Sequence, residues 1–253
     1  MTDHLAPRRA RVADAWALAD ELVLVSAGQP IGKPGGADQT YPFLSHSDYF
    51  FLAERDRPGS VIAYDPHEGW VDFVPEVTEG ERVWEGVREV GGTPLARLEG
   101  WLAARRGRPV IALGCGMPGL GEAHPRTAEV QERLTHARRP KDAVEAQRLR
   151  EAARATAEGF AAVRPFLRAG TSERRVRIEL EAAFQRAGAT GTGYGSIVGT
   201  GSNSAVLHFD PSARTLAPGD TLLIDAGAEI DRYTADVTRT YRVAGGDPGL
   251  FRD

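Results

Sequence analysis

Polar and apolar positions recur along this chain with two periods, one helical and one of strands. Residues 8–27 carry Val12, Trp16, Ala19 and Val23 at helical spacing, which predicts one amphipathic helix. Glycine and proline then crowd residues 25–40 and predict a loop. Short β-rich runs at 49–52, 60–64 and 70–74 predict strands, punctuated by Pro-Gly and Asp-Pro. Residues 81–90 predict a connecting helix, 95–105 a stronger one, and 109–113 a buried strand. This alternation predicts a small α/β domain with a mixed sheet.

Arg138-Arg139-Pro140-Lys141 reads as a solvated linker, because no aromatics interleave with its charges as they would in a nucleic-acid patch. The domains predicted are 1–137 and 138–253. Residues 142–167 are rich in Ala, Glu and Arg and strongly helical. Gly170 stops that helix, and Thr171 or Ser172 caps a second one to about Ala187, with Ile178, Leu180, Ala183 and Phe184 as its apolar stripe. Residues 188–204 are glycine-rich, yet hold no phosphate-loop, dinucleotide or nucleophile-elbow spacing.

Residues 221–241 carry the chemistry. An apolar run leads into Asp225, and a β-branched, aromatic run contains Asp236. With Ile230 and Asp231 as the turn, the two runs make a hairpin in which Asp225 directly faces Asp236. Directly opposed side chains stand roughly 4.5–5.5 Å apart at Cβ, and like charges there destabilise the pair. A divalent cation, or two of them, would make the pairing favourable. A surface hairpin with solvated acids is the plainer alternative. Leu222-Leu223-Ile224 before Asp225 and the room beside Gly227 favour the metal.

Composition removes other classes. A net charge of −4 invites neither nucleic acid nor an anionic membrane surface. One cysteine, Cys115, allows no internal disulfide, and residues 1–16 lack a signal-peptide pattern, so a cytoplasmic setting is expected. No run approaches the ~18 apolar residues of a membrane span. His4, His46 and His67 read as surface residues, and His124 and His136 as flanks of the linker.

Asp225-Ala226-Gly227 and Asp236-Val237-Thr238-Arg239-Thr240 resemble, in motif and spacing, the metal-binding hairpin of the proline-specific peptidases of the pita-bread fold: Xaa-Pro dipeptidase (prolidase) and aminopeptidase P. The stretch from Tyr194 and Ile197 through Gly199-Thr200-Gly201, Asn203 and Leu207-His208 is similar to a second motif of that family, with Thr200 where serine is usual. Residues 46–51 and 72–86 resemble the family's N-terminal domain.

The resemblance implies a creatinase-like α/β N-terminal domain with a mixed sheet, then an α+β pita-bread catalytic domain whose C-terminal part is missing. It implies metal-dependent hydrolysis of the bond before proline in Xaa-Pro dipeptides or short peptides, the dipeptidase slightly favoured over aminopeptidase P. Asp225 would bind one of two divalent ions and Asp236 both, with a histidine and two glutamate ligands expected beyond residue 253. Mn²⁺ is expected; Zn²⁺ or Co²⁺ suits the same donors. His208 would stabilise the developing oxyanion and contact substrate, and Tyr194 and Ile197 would shape the substrate pocket. A homodimer is expected, and the 253-residue chain alone should be inactive. The alternative is a non-catalytic pita-bread module that binds a peptide or protein.

Overall fold

The computed structural model describes residues 4–117 and 124–244. The chain divides between Pro140 and Lys141 into two compact units.

In the first unit, α1 (Leu5–Trp16) buries Arg8, Val12 and Trp16, and Ala17 closes it at φ 46°. The helix expected across 8–27 therefore stops at Trp16. The apolar run that follows is β1 (Leu22–Ser26), buried at every position. It pairs antiparallel with β2 (Val61–Asp65) on one side and parallel with β5 (Val110–Gly114) on the other. A strand covered on both faces reads as a continuous apolar run, which periodicity cannot separate from a buried helix.

A second correction falls at 49–52, expected as a strand. These residues lie in α2 (Ser47–Ala53), and His46 is its N-cap, Nδ1 accepting from the Asp48 N–H at 3.3 Å. Asp48 in the first turn favours the helix through its dipole. The unit continues with β2 (Val61–Asp65), β3 (Gly69–Val74), α3 (Glu79–Trp84), β4 (Thr93–Pro94), α4 (Leu98–Ala103), β5 (Val110–Gly114) and α5 (Thr127–Ala137). The sequence pattern did not predict α5. It buries Val130 and Leu134 against Trp16, whose indole donates to the Val130 carbonyl at 3.1 Å.

The sheet is mixed, in the order β4-β3-β2-β1-β5. Val23, Val25, Ile62 and Ile111 face α1, α2 and α5, while Leu24, Ala63 and Phe73 face Leu98, Trp101 and Leu102. No helix of the described residues is long and apolar enough to cross a membrane.

The second unit opens with α6 (Ala143–Val163), started by a capping box between Asp142 and Glu145. Ser172 caps α7 (Glu173–Arg186), its Oγ accepting from the Arg175 N–H at 3.2 Å. The buried stripe of α7 is Val176, Leu180, Ala183 and Phe184. Ile178, expected in that stripe, is exposed, because two residues from Val176 and from Leu180 is the wrong side of a helix. Gly159 lets the helices close: a Cβ there would lie 2.3 Å from the Phe184 ring.

Among the described residues six strands follow: β6 (Gly191–Thr192), β7 (Ile197–Thr200), β8 (Thr221–Ala226), β9 (Ala228–Ile230), β10 (Tyr233–Thr234) and β11 (Val237–Arg242). They pair as β10-β9-β6 and β11-β8-β7. Along β8, Leu222, Ile224 and Ala226 are buried with Leu180 and Phe184, so Leu223 and Asp225 point to the face away from the helices. In sequence, residues 245–253 read as the start of a new helix; they lie outside the described residues.

Candidate functional site

The turn of the long hairpin is Asp231-Arg232, with φ 46° and 71°. Two successive positive φ values define the tight turn whose twist matches antiparallel strands. This moves the register from the one expected. Asp225 lies opposite Thr238, not Asp236, and the same register puts Ala226 opposite Val237 and Glu229 opposite Thr234. Thr238 and Asp236 are two residues apart, so Asp236 still shares the face of Asp225, as its diagonal neighbour. The correction preserves the acidic pair.

Two local devices bring the carboxylates together. Gly227 separates β8 from β9, and a Cβ there would sit 1.6 Å from the Ala235 carbonyl oxygen. Only glycine lets the two strands approach so closely beside Asp236. The second device is on the neighbouring strand. Thr192 pairs with Ala228 and Ile197 with Asp225, so five steps on one strand answer three on the other. The two extra residues bulge at 193–196, and bulges re-aim side chains.

The side chain re-aimed is Tyr194. Its hydroxyl donates toward Asp225 Oδ1 at 2.5 Å and lies 2.9 Å from Asp236 Oδ1. Burial, and then the two carboxylates, push the Tyr194 phenol well above its ordinary pKa. One proton thus serves three oxygens. Two carboxylates that share one neutral donor on one face make a place where a cation would be stabilised.

Hard oxygen donors on one face fit a divalent cation. They do not complete a site: among the described residues no three His, Cys, Asp or Glu side chains gather as a ligand set.

His208, Ile197 and Tyr194 line one cleft with Asp225 and Asp236, of about 530 Å³. Its other walls are Gly195, Ser196, Phe209 and Asp210. His208 is exposed on the loop after β7, and Ile197 is buried at the start of that strand. The sequence brought forward all five, Asp225 and Asp236 from the hairpin pattern and Tyr194, Ile197 and His208 through the resemblance. It missed the contact of Tyr194 with the acids, because a bulge is invisible to periodicity. It also missed Glu173, a buried carboxylate at the start of α7 that reaches the ends of the His208 loop. A glutamate right after a helix-capping serine was the available signal.

This fold and acidic cleft define a class. Residues 147–250 match the sequence profile of metallopeptidase family M24, and the second unit has the pita-bread fold. The chain is similar over 85% of its length, at 30% identity, to Xaa-Pro aminopeptidase 2 of Streptomyces coelicolor. A 97-residue alignment with the Escherichia coli Xaa-Pro aminopeptidase reaches 37% identity over 38% of this chain and 22% of that protein. Among solved structures, proline aminopeptidase P II of Yersinia pestis superposes with TM-score 0.73 at 23% identity, covering 96% of this chain and 64% of that one. Escherichia coli aminopeptidase P bound to the inhibitor Pro-Leu gives TM-score 0.72 at 22% identity, covering 95% and 62%. The chain spans about half the length of the Streptomyces relative, 52% of it.

Proposed function

We propose that the whole protein hydrolyses the peptide bond preceding proline and releases the N-terminal residue of Xaa-Pro peptides, as an aminopeptidase. One observation carries the proposal: two carboxylates that share the Tyr194 hydroxyl line one cleft with His208 and Ile197. The names of the relatives favour the aminopeptidase over the dipeptidase preferred from sequence.

Asp225 and Asp236 would hold the metal, Mn²⁺ by expectation. A divalent cation bound there supplies Lewis acidity to the scissile carbonyl and lowers the pKa of the attacking water. Tyr194 fixes both carboxylates from one side through its hydroxyl. His208 donates a hydrogen bond to the carbonyl oxygen as negative charge develops on it. Ile197 offers an apolar surface to the proline ring. A homodimer in the cytoplasm completes the proposal.

The test uses the complete gene product, stripped of metal by chelation and titrated with Mn²⁺. Release of the N-terminal residue from an Xaa-Pro-Xaa tripeptide should return with the metal, and Asp225→Asn should abolish it. Cleavage by the chelated protein, or an active Asp225→Asn variant, would sink the assignment. Restoration for an Xaa-Pro dipeptide alone would select the dipeptidase.

A further inference from the structure

His208 stands on a loop with little order of its own. After β7 comes one short 3₁₀ turn, Gly201–Ala205, and then Val206 and Leu207 are exposed at 52% and 81%. Such a segment does not by itself hold an imidazole in place. Its two ends, however, converge on one side chain.

Glu173, the first residue of α7, is fully buried. Its Oε1 accepts from the Thr200 N–H at 2.8 Å and from Asn203 Nδ2 at 2.9 Å, at the outgoing end of the loop. Its Oε2 accepts from Ser212 Oγ at 2.6 Å and from the Ser212 N–H at 3.1 Å, at the returning end. The start of α7 adds backbone bonds from Arg174 N to the Ser212 carbonyl and from Glu173 N to the Arg214 carbonyl, both at 3.0 Å. Burial works to raise the Glu173 pKa, but these neutral donors outweigh it and hold the carboxyl below its ordinary value.

The loop has another tether, Arg177 to Asp210 at 2.8 Å, but Asp210 is 91% exposed there. An exposed ion pair holds little. A buried carboxylate with four donors is costly to pull apart.

We propose that Glu173 is a positioning residue for His208: each of its two oxygens binds one end of the loop, and together they set where the imidazole stands in the cleft. The proposal rests on the role given to His208 above. Glutamine keeps the volume but turns an NH₂ group towards donors, so one end is released. Aspartate is one methylene shorter and cannot span both ends.

The experiment uses the complete gene product with Glu173→Gln, and with Asn203→Ala as a milder variant that frees one contact. Amide hydrogen exchange at 201–211 should quicken about tenfold or more in Glu173→Gln, while the amides of β8 and β11 keep their rates. The kcat/KM for an Xaa-Pro-Xaa tripeptide should fall about 10- to 100-fold, mostly through kcat. In a His208→Ala background the same change should cost less than about twofold, because its effect passes through that imidazole.

Unchanged exchange at 201–211 overturns the proposal, as do equal losses of kcat/KM with and without His208. If the unsubstituted protein cleaves nothing, the functional reading has failed, and the exchange rates still decide whether Glu173 orders the loop. If Glu173→Gln does not fold, Asn203→Ala carries both measurements under the same criteria.

Discussion

Tyr194→Phe removes one oxygen and leaves the ring, so its effect isolates the hydroxyl that serves Asp225 and Asp236. A hydrogen bond to a charged group contributes about 1.5–3 kcal/mol. Asp236 is exposed and Tyr194 half-buried, so water replaces part of the loss. The expected destabilisation in metal-free protein is therefore near the lower bound, about 1.5 kcal/mol. Divalent metal reverses the weighting. With a cation between the carboxylates the shared proton matters less, and the penalty should shrink as Mn²⁺ is added. Tryptophan fluorescence cannot make this measurement, because Trp16, Trp70, Trp84 and Trp101 all lie in the first unit. Native-state hydrogen exchange at the amides of β8 and β11 reads the right place. Exchange there should quicken about tenfold in chelator and less in Mn²⁺. Equal rates for the two proteins in chelator would refute the account of the site as carboxylates held by one proton.

Gly227→Ala should separate the hairpin where Asp236 lies, since the new Cβ would meet the Ala235 carbonyl oxygen at 1.6 Å. Divalent metal binding by calorimetry should weaken at least tenfold, while the first unit's thermal transition stays in place. Gly159→Ala sets a helix-propensity gain of about 1 kcal/mol against overpacking of about 1–3 kcal/mol. Phe184 is fully buried and cannot yield, so a net loss is expected by urea unfolding, relieved by Phe184→Leu. Glu81→Gln tests acid stability. Arg57 first, and then the Thr78 N–H, draw the Glu81 carboxyl down from 4.5 to about 2. A depressed carboxyl stabilises the fold above its unfolded pKa and ceases to as pH falls through the folded one. The first unit's tryptophan signal should therefore lose stability between pH 4.5 and 2 less steeply in Glu81→Gln than in the wild type.

The fold was legible where a period is unambiguous. Residues 142–167 are strongly helical in composition and 172–187 carry an apolar stripe, and α6 and α7 lie there. The strand at 60–64 and the strand at 70–74 are found as β2 and β3. Errors fell where apolar residues run together. Leu22–Ser26 is apolar on both faces because sheet neighbours and helices cover it on every side, and a helix can wear the same pattern. Residues 49–52 are aromatic and read as a strand on propensity alone. What decides for a helix is the His46 cap and the packing of Tyr49 and Leu52 into the core, both tertiary facts.

The site was legible in its residues and illegible in its geometry, and the hairpin register shows why. Pairing Asp225 directly with Asp236 required a turn at Ile230-Asp231. The chain turns one residue later, where Asp231 and Arg232 both take positive φ although arginine has no preference for it. A slip of one residue on one strand alone would have sent the acids to opposite faces. Here the turn centre moves by one, the pairing shifts by two, and the acids keep one face. Their approach is then set by Gly227 and by the bulge that carries Tyr194 to them, neither of which leaves a periodic trace. The two aspartates of the motif therefore meet for a reason its spacing does not contain: parity fixes the face, while glycine and a two-residue bulge set the surroundings in which they approach.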